Sequence, residues 1–267
     1  MKKHRVKPGE KVDLSKVDAG ATPGAKGGKK GAEKLFAPLN ARLEVLQEKL
    51  WAEHRRKVLV VLQGLDTSGK DGTIRHVFQG VNPLGVRVKA FKAPTEEERD
   101  HDFLWRVHPH VPGAGELVIF NRSHYEDVLV ARVHGLVPES LWKERYGHIR
   151  DFEEMLSEHG TLILKFFLHI SPEEQKERLQ ARIDDPLKRW KFRRGDLEDR
   201  KLWPEYRQAY EDLLARTSQH QAPWYVVPAD KKWYRNLVVA TVLVEALEGL
   251  DLADPEPAED LTGVVIE

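Results

Sequence analysis

Cysteine is absent from the 267 residues of this chain, and methionine occurs only twice. The first absence excludes disulfides, thiolate nucleophiles and cysteine-ligated metal centres. It points to a cytoplasmic protein, and the scarcity of oxidisable side chains also suits a hot habitat. Long apolar runs are missing, so no transmembrane helix and no membrane partner are expected. The opening Met-Lys-Lys-His-Arg-Val-Lys-Pro lacks the apolar segment of a signal peptide. Net charge is lacking as well, with 43 Lys and Arg against 43 Asp and Glu. That balance, without any base-reading motif, argues against nucleic acid as a partner. No internal repeat is visible.

The charge that is present is unevenly spread. Residues 1–34 hold ten Lys and Arg against four acids, and residues 251–267 hold six acids and no base. These read as a basic, flexible N-terminal arm and an acidic C-terminal tail, both solvated; the alternatives are that the two pair across subunits or that the arm holds a polyanion. Between them, residues 35–250 are long enough for one large α/β domain.

Within that domain the most informative stretch is residues 57–73. The apolar run Val58–Leu62 stops at Gly64-Leu65-Asp66-Thr67-Ser68-Gly69-Lys70, the strand, glycine-rich loop and lysine of a phosphate-binding P-loop. Glycine lets such a loop curl so that its N–H groups converge. A helix from Gly69 adds the positive end of its dipole. Lys70 reaches a phosphate oxygen as a mobile point charge. Gly64, Thr67, Ser68, Gly69, Lys70, Asp71, Gly72 and Thr73 are therefore candidate phosphate-binding residues. The loop departs from the usual motif in two places. Asp71 stands where a Mg²⁺-binding Ser or Thr normally follows the lysine, and Asp66 puts a carboxylate inside the loop. The competing reading is a glycine-rich turn with no ligand.

Strands and helices alternate along the chain. Strands are predicted at Val58–Leu62, Val86–Phe91, Leu117–Phe120, Thr161–Ile170 and Trp224–Val227. Helices are predicted at Leu35–His54, Gly69–Gly80, Thr95 to about His108, Ser123–His134, Glu139–His159, Pro172–Ile183 and Trp233–Leu250. Thr95 with Glu98 makes a capping box, and Pro172 occupies a first helical turn. Near-continuous apolar strands in this alternation predict a five-stranded parallel sheet covered by helices on both faces.

Residues 184–201 break the pattern. Lys188, Arg189, Trp190, Lys191, Phe192, Arg193 and Arg194 form a basic, aromatic stretch between Pro186 and Gly195. Such a density of cations beside a P-loop suits a lid that closes over phosphates, with Lys191, Arg193 and Arg194 reaching inward. The alternative is a solvated loop anchored by its aromatics.

A second constellation follows the third strand, at Asn121-Arg122-Ser123-His124-Tyr125-Glu126-Asp127. Ligand-binding groups of a parallel sheet gather beyond the carboxyl ends of its strands. Asp127 is a candidate metal carboxylate together with Asp66, and Arg122 can clamp a phosphate bidentately. The alternative is a structural ion pair near a helix start. Arg178 and Arg182 lie four apart on one helix face, either as a solvated stripe or aimed at a transferring phosphoryl group. His108 and His110 flank a proline without helical ligand spacing, so no zinc site is expected there.

The loop Gly64–Gly72, the segment Phe120–Asp127 and the stretch Lys188–Arg194 together resemble the polyphosphate kinase 2 family, over about Leu35 to Leu250. Within it the chain resembles the branch that accepts both AMP and ADP. Other branches favour Asp-Arg-Ser-Trp-Tyr-Asn where this chain has Asn121-Arg122-Ser123-His124-Tyr125-Glu126. The resemblance implies an α/β P-loop kinase fold related to thymidylate kinase, with a helical lid. It implies transfer of the terminal phosphoryl group of inorganic polyphosphate to AMP and ADP, giving ADP and ATP, with Mg²⁺ or Mn²⁺. By position, Asp66, Lys70, Arg122, Asp127, Arg178 and Arg182 would be catalytic, Asp66 and Asp127 would hold the metal, and Asn121 and Glu126 would recognise the nucleotide. A homo-oligomer is also implied. The runner-up is an ATP-dependent nucleoside monophosphate kinase of the same fold.

Overall fold

The computed structural model describes residues 1–254 and 259–266. The described elements, in chain order, are α1 (Gly28–Glu53), β1 (Lys57–Gln63), α2 (Lys70–Val77), β2 (Val86–Ala90), α3 (Glu96–Asp100), β3 (Leu117–Asn121), α4 (Val130–Val133), α5 (Glu139–Glu158), β4 (Thr161–His169), α6 (Pro172–Asp184), α7 (Gly195–Lys201), α8 (Trp203–Thr217), β5 (Trp224–Pro228) and α9 (Lys232–Glu248). The five strands form one sheet in the order β2-β3-β1-β4-β5 with every pair parallel.

Strand parity divides the core. Leu59 and Val61 of β1, Val118 and Phe120 of β3, and Ile163 and Phe167 of β4 point to one face, against Ile149 and Phe152 of α5 and Leu213 of α8. Val58, Val60 and Leu62, with Ile119 and Phe166, point to the other, against Leu43, Leu46 and Leu50 of α1 and the apolar α9. Side chains alternate across a strand, so continuous apolar strands require cover on both sides. The five predicted strands and the two-sided cover are as expected.

Beyond the N-terminal arm, three regions differ from the sequence reading. The expected helix from Thr95 to His108 stops at Asp100, although its capping box forms: Glu98 N donates to Thr95 Oγ1 and Thr95 N to Glu98 Oε2. Asp102 Oδ1 accepts from the amides of Leu104 and Trp105, offering the backbone a turn in place of the helical ladder. The expected helix Ser123–His134 is split into a 3-10 turn at His124–Asp127 and the single turn α4, because Arg145 takes the Asp127 carbonyl as acceptor. Residues 203–217, given no helix above, form α8.

The basic arm is packed, not splayed into solvent. Val6 and Leu14 are buried in the core. Val6 N donates to Trp224 O, and Arg5 bridges Tyr225 antiparallel, so the arm covers the outer edge of β5. His4 Nε2 meets Tyr234 Oη at 2.8 Å, and the chain's terminal ammonium pairs with Glu245. The apolar residues among the lysines supply the burial that a purely charged arm would lack. The acidic tail lies partly outside the described residues, at 255–258 and 267.

Candidate functional site

β1 and β3 lie side by side with Leu62 opposite Asn121, so the loops that leave their carboxyl ends emerge together. Arg122 N donates to Leu62 O, which pins the second loop to the first. Both loops hold strained backbone. Thr67 has φ 66° and Arg122 φ 61°, a left-handed conformation that non-glycine residues seldom adopt. At Gly64, with φ 154°, a Cβ would stand 2.6 Å from Ser68 Oγ, so only glycine fits.

The P-loop is a cradle of free donors. The amides of Asp66, Thr67 and Gly69 donate to no acceptor among the described residues. Thr67 Oγ1, Ser68 Oγ and the neighbouring Gln63 Oε1 are buried without a hydrogen-bond partner among the described residues. Buried polar groups are ordinarily paired, so this set marks a ligand position. Lys70 is buried and turns back onto the loop, with Nζ 2.6 Å from Gly64 O and 3.3 Å from Leu65 O. Burial and Arg122 push its ammonium down to about 8, against the pull of Asp66 and Glu126. Thr73 spends its hydroxyl on Gly69 O within α2, and Asp71 accepts from Asn121 Nδ2 at 2.7 Å.

Beside the cradle, Arg122 Nη2 donates to Asp66 Oδ1 at 2.7 Å, and Glu126 Oε2 stands 3.9 Å from Arg122 Nη1. Burial opposes ionisation of Asp66, but Lys70 and Arg122 overcome it and hold the carboxyl below its usual range. Burial pushes the Glu126 carboxyl up despite Arg122 and Lys70. Asp127 is held by a different arginine. Arg145 Nη1 donates to its Oδ1 at 3.3 Å, and burial pushes the carboxyl up to about 6 against Arg145 and Arg106. Asp66 and Asp127 therefore meet different arginines, and Glu126 is the acid whose charge reaches both.

A cavity of about 420 Å³ opens next to the 3-10 turn. Phe91, Phe103 and Val130 supply apolar wall, while Arg99, Arg106, Arg122, Arg145, Glu126 and Asp127 supply charge. Apolar wall with a few converging charges is the usual make-up of a small-molecule site. Glu126 lines this cavity. Asn121 does not, since its amide is turned to Asp71.

The remaining candidates divide. Arg178 uses every donor on protein: Nε on Glu174, Nη1 on the Thr67 and Ser68 carbonyls, Nη2 on the Ala229 and Asp230 carbonyls. It braces the P-loop from behind. Arg182 Nη1 points toward Asp196 Oδ2 at 3.4 Å. Lys191 Nζ reaches to 3.7 Å from Asp71, which brings segment 184–201 onto the P-loop helix. Arg193 and Arg194 are exposed and make no ion pair among the described residues.

Several neighbours escaped the sequence reading. Gln175 Nε2 donates to Asp66 O and is held in turn by Arg200. Asp196 is buried beside Arg182, and burial together with Asp66 raises its carboxyl above the usual range. Arg99 and Arg106 come to the cavity from the segment after β2, and Arg145 from α5. The helical spacing of Gln175 with Arg178 and Arg182 was the one available signal.

For a divalent cation the donor set is sparse but suitable. No three His, Cys, Asp or Glu side chains gather as a metal cage among the described residues. Mg²⁺ is commonly held by one or two carboxylates plus substrate phosphate oxygens. Among the described residues, Asp66 Oδ2 and Asp127 Oδ2 accept no hydrogen bond.

Comparison with known proteins adds three findings. Residues 27–255 match the family model described as Polyphosphate kinase 2. A Meiothermus ruber protein named AMP/ADP-polyphosphate phosphotransferase is 59% identical over 267 residues, covering 100% of both chains, and a Rhodopseudomonas palustris ADP-polyphosphate phosphotransferase is 45% identical, covering 96% of this chain and 92% of that one. The crystal structure of Polyphosphate Kinase 2 from Arthrobacter aurescens TC1 superposes with a TM-score of 0.93 at 48% identity, covering 97% of this chain and 92% of that chain.

Proposed function

We infer the reaction from one premise: the chain belongs to the polyphosphate kinase 2 family. It is a polyphosphate-dependent nucleotide phosphotransferase that passes the terminal phosphoryl group of inorganic polyphosphate to AMP and ADP. An acceptor phosphate oxygen forms a bond to the terminal phosphorus, and the anhydride bond behind that phosphorus breaks. The donor leaves one phosphate shorter.

The observation that carries this reading is the set of unpartnered buried donors around the P-loop. The loop amides, Thr67 and Ser68 would bind the polyphosphate end, with Lys70 released from its own carbonyls to neutralise charge. Arg122, held between Asp66 and Glu126, lies where the donor cradle meets the cavity and would clamp the phosphoryl group in transit. The cavity would take the acceptor nucleotide, its base against Phe91 and Phe103 and its phosphate toward Arg106, Arg122 and Arg145. Asp66 would orient the acceptor phosphate and take its proton when it arrives protonated. Arg193 and Arg194 would track the rest of the polyanion as segment 184–201 closes as a lid. Asp66 and Asp127 would hold Mg²⁺, or Mn²⁺ in its place, through Oδ2. When bound, the ion would neutralise charge on the substrate phosphates.

A homo-oligomer in the cytoplasm completes the proposal. No described helix is long and apolar enough to cross a membrane.

The test supplies AMP, polyphosphate and Mg²⁺ without ATP and follows nucleotides by chromatography. ADP and then ATP should accumulate. Turnover of AMP with ATP alone, and none with polyphosphate, would favour the conventional monophosphate kinase.

A further inference from the structure

Arg235, on the first turn of α9, is 2% exposed and lies directly beneath the P-loop. Its guanidinium is packed so closely that a Cβ on Gly69 would stand 1.8 Å from Nη1, and one on Gly72 would stand 3.4 Å from Nη2. Nη1 donates to Ser68 O at 3.2 Å, while Nε and Nη2 donate to Asn236 Oδ1 at 3.1 and 2.9 Å. All these acceptors are neutral. No carboxylate lies within ion-pair distance among the described residues. The charged group that acts on it is another cation, Arg178, and burial with that neighbour holds its guanidinium below the usual arginine range.

A buried charge without a counter-ion is expensive, and an isolated guanidinium does not escape by losing its proton. Arg178 and Arg235 both donate to Ser68 O. The loop therefore rests on two guanidinium groups of like sign. A fixed positive field in a low-dielectric setting strengthens anion binding beyond what surface cations achieve.

We propose that Arg235 is a positioning residue whose missing counter-ion is the phosphate chain itself: it fixes the Ser68–Gly69 peptide and supplies a permanent positive potential beneath it. This rests on the P-loop being the polyphosphate site. It also gives Gly69 a second reason to be glycine besides its φ of 102°, since the guanidinium fills the space of any side chain.

The experiment measures tripolyphosphate binding by titration calorimetry, and thermal midpoints without ligand, for the unmodified protein, Arg235→Gln and Arg235→Lys. Arg235→Gln should bind tripolyphosphate at least about tenfold more weakly, with a shallower salt dependence. Its ligand-free midpoint should stay level or rise, because an uncompensated charge has been removed. Arg235→Lys keeps the charge and should recover most of the affinity. Unaltered affinity in Arg235→Gln would overturn the proposal. So would a lowered midpoint with weak binding that lysine does not restore, since that would make the residue a packing element only. Should Arg235→Gln not fold, the lysine variant decides alone: affinity within about threefold of the unmodified protein supports the role, and a tenfold loss refutes it. Failure of the unmodified protein to bind tripolyphosphate would sink the functional reading first, and this one with it.

Discussion

At the scale of single residues, the site is governed by carboxylates and a lysine whose proton affinities are displaced. Burial lifts Asp127 from about 3.8 to about 6, so its charge is lost as pH falls through 6. Lys70, brought down to about 8, loses its charge as pH rises through that value. If both charges are needed, kcat/KM for polyphosphate should be bell-shaped with limbs near 6 and 8. Lys70→Arg should push the basic limb upward, because arginine does not titrate there. A flat profile between pH 5 and 9 would contradict this. The stability effect of Asp127 runs the other way. A carboxyl raised by folding stabilises the fold while protonated, and that contribution fades as pH rises from about 4 to about 6. Asp127→Asn should accordingly keep its fold by circular dichroism while turnover drops by about 10²-fold or more. Exchanging Asn121 and Glu126 for Asp and Asn tests acceptor choice. AMP use should fall more than ADP use, and equal loss would leave Glu126 without a role in recognition.

Among elements, segment 184–201 and the buried side of α5 invite contrasting tests. Arg194→Ala should raise KM for polyphosphate several-fold and leave the melting temperature within about 1 °C, since the side chain is exposed. A change in melting temperature alone would remove the lid from the mechanism. Lys165 of β4 and Glu153 of α5 are both fully buried and paired, with Tyr125 Oη bonding each. Lys165→Met alone should cost roughly 3–5 kcal/mol by leaving a buried carboxylate without its ammonium partner. The double change Lys165→Met, Glu153→Leu should recover most of that in denaturant titration. Neither residue was visible in advance, because a charged pair inside an apolar strand has no sequence pattern until its partner is known. The strands were legible because five apolar runs stand between turn signals. The P-loop was legible because its chemistry is local. Helix α8 was legible in the sequence, since Tyr206, Ala209, Tyr210, Leu213 and Leu214 repeat at helical spacing, yet residues 202–223 received no element. Arg178 shows the limit of positional inference. Its place facing the P-loop was foreseeable, but that its donors end on backbone carbonyls required coordinates.

For the whole molecule, the arm binds the two ends of the chain together. Burial of Val6 and Leu14 contributes about 1.5–3 kcal/mol each, so deleting residues 1–16 should lower the melting temperature by roughly 10 °C. A truncated protein that melts like the full chain would return the arm to the solvated state expected from composition. Assembly is tested by light scattering, where a mass near a multiple of 30.7 kDa is expected. The arm also sets an order of events during synthesis. Met1, His4 and Val6 precede the partners they need, Glu245, Tyr234 and Trp224, by more than 200 residues. At about 5–20 residues per second, the leading segment must wait on the order of 10–40 s outside the ribosome. A nascent chain therefore cannot cover the outer edge of β5 with residues 5 and 6 until that later segment has emerged.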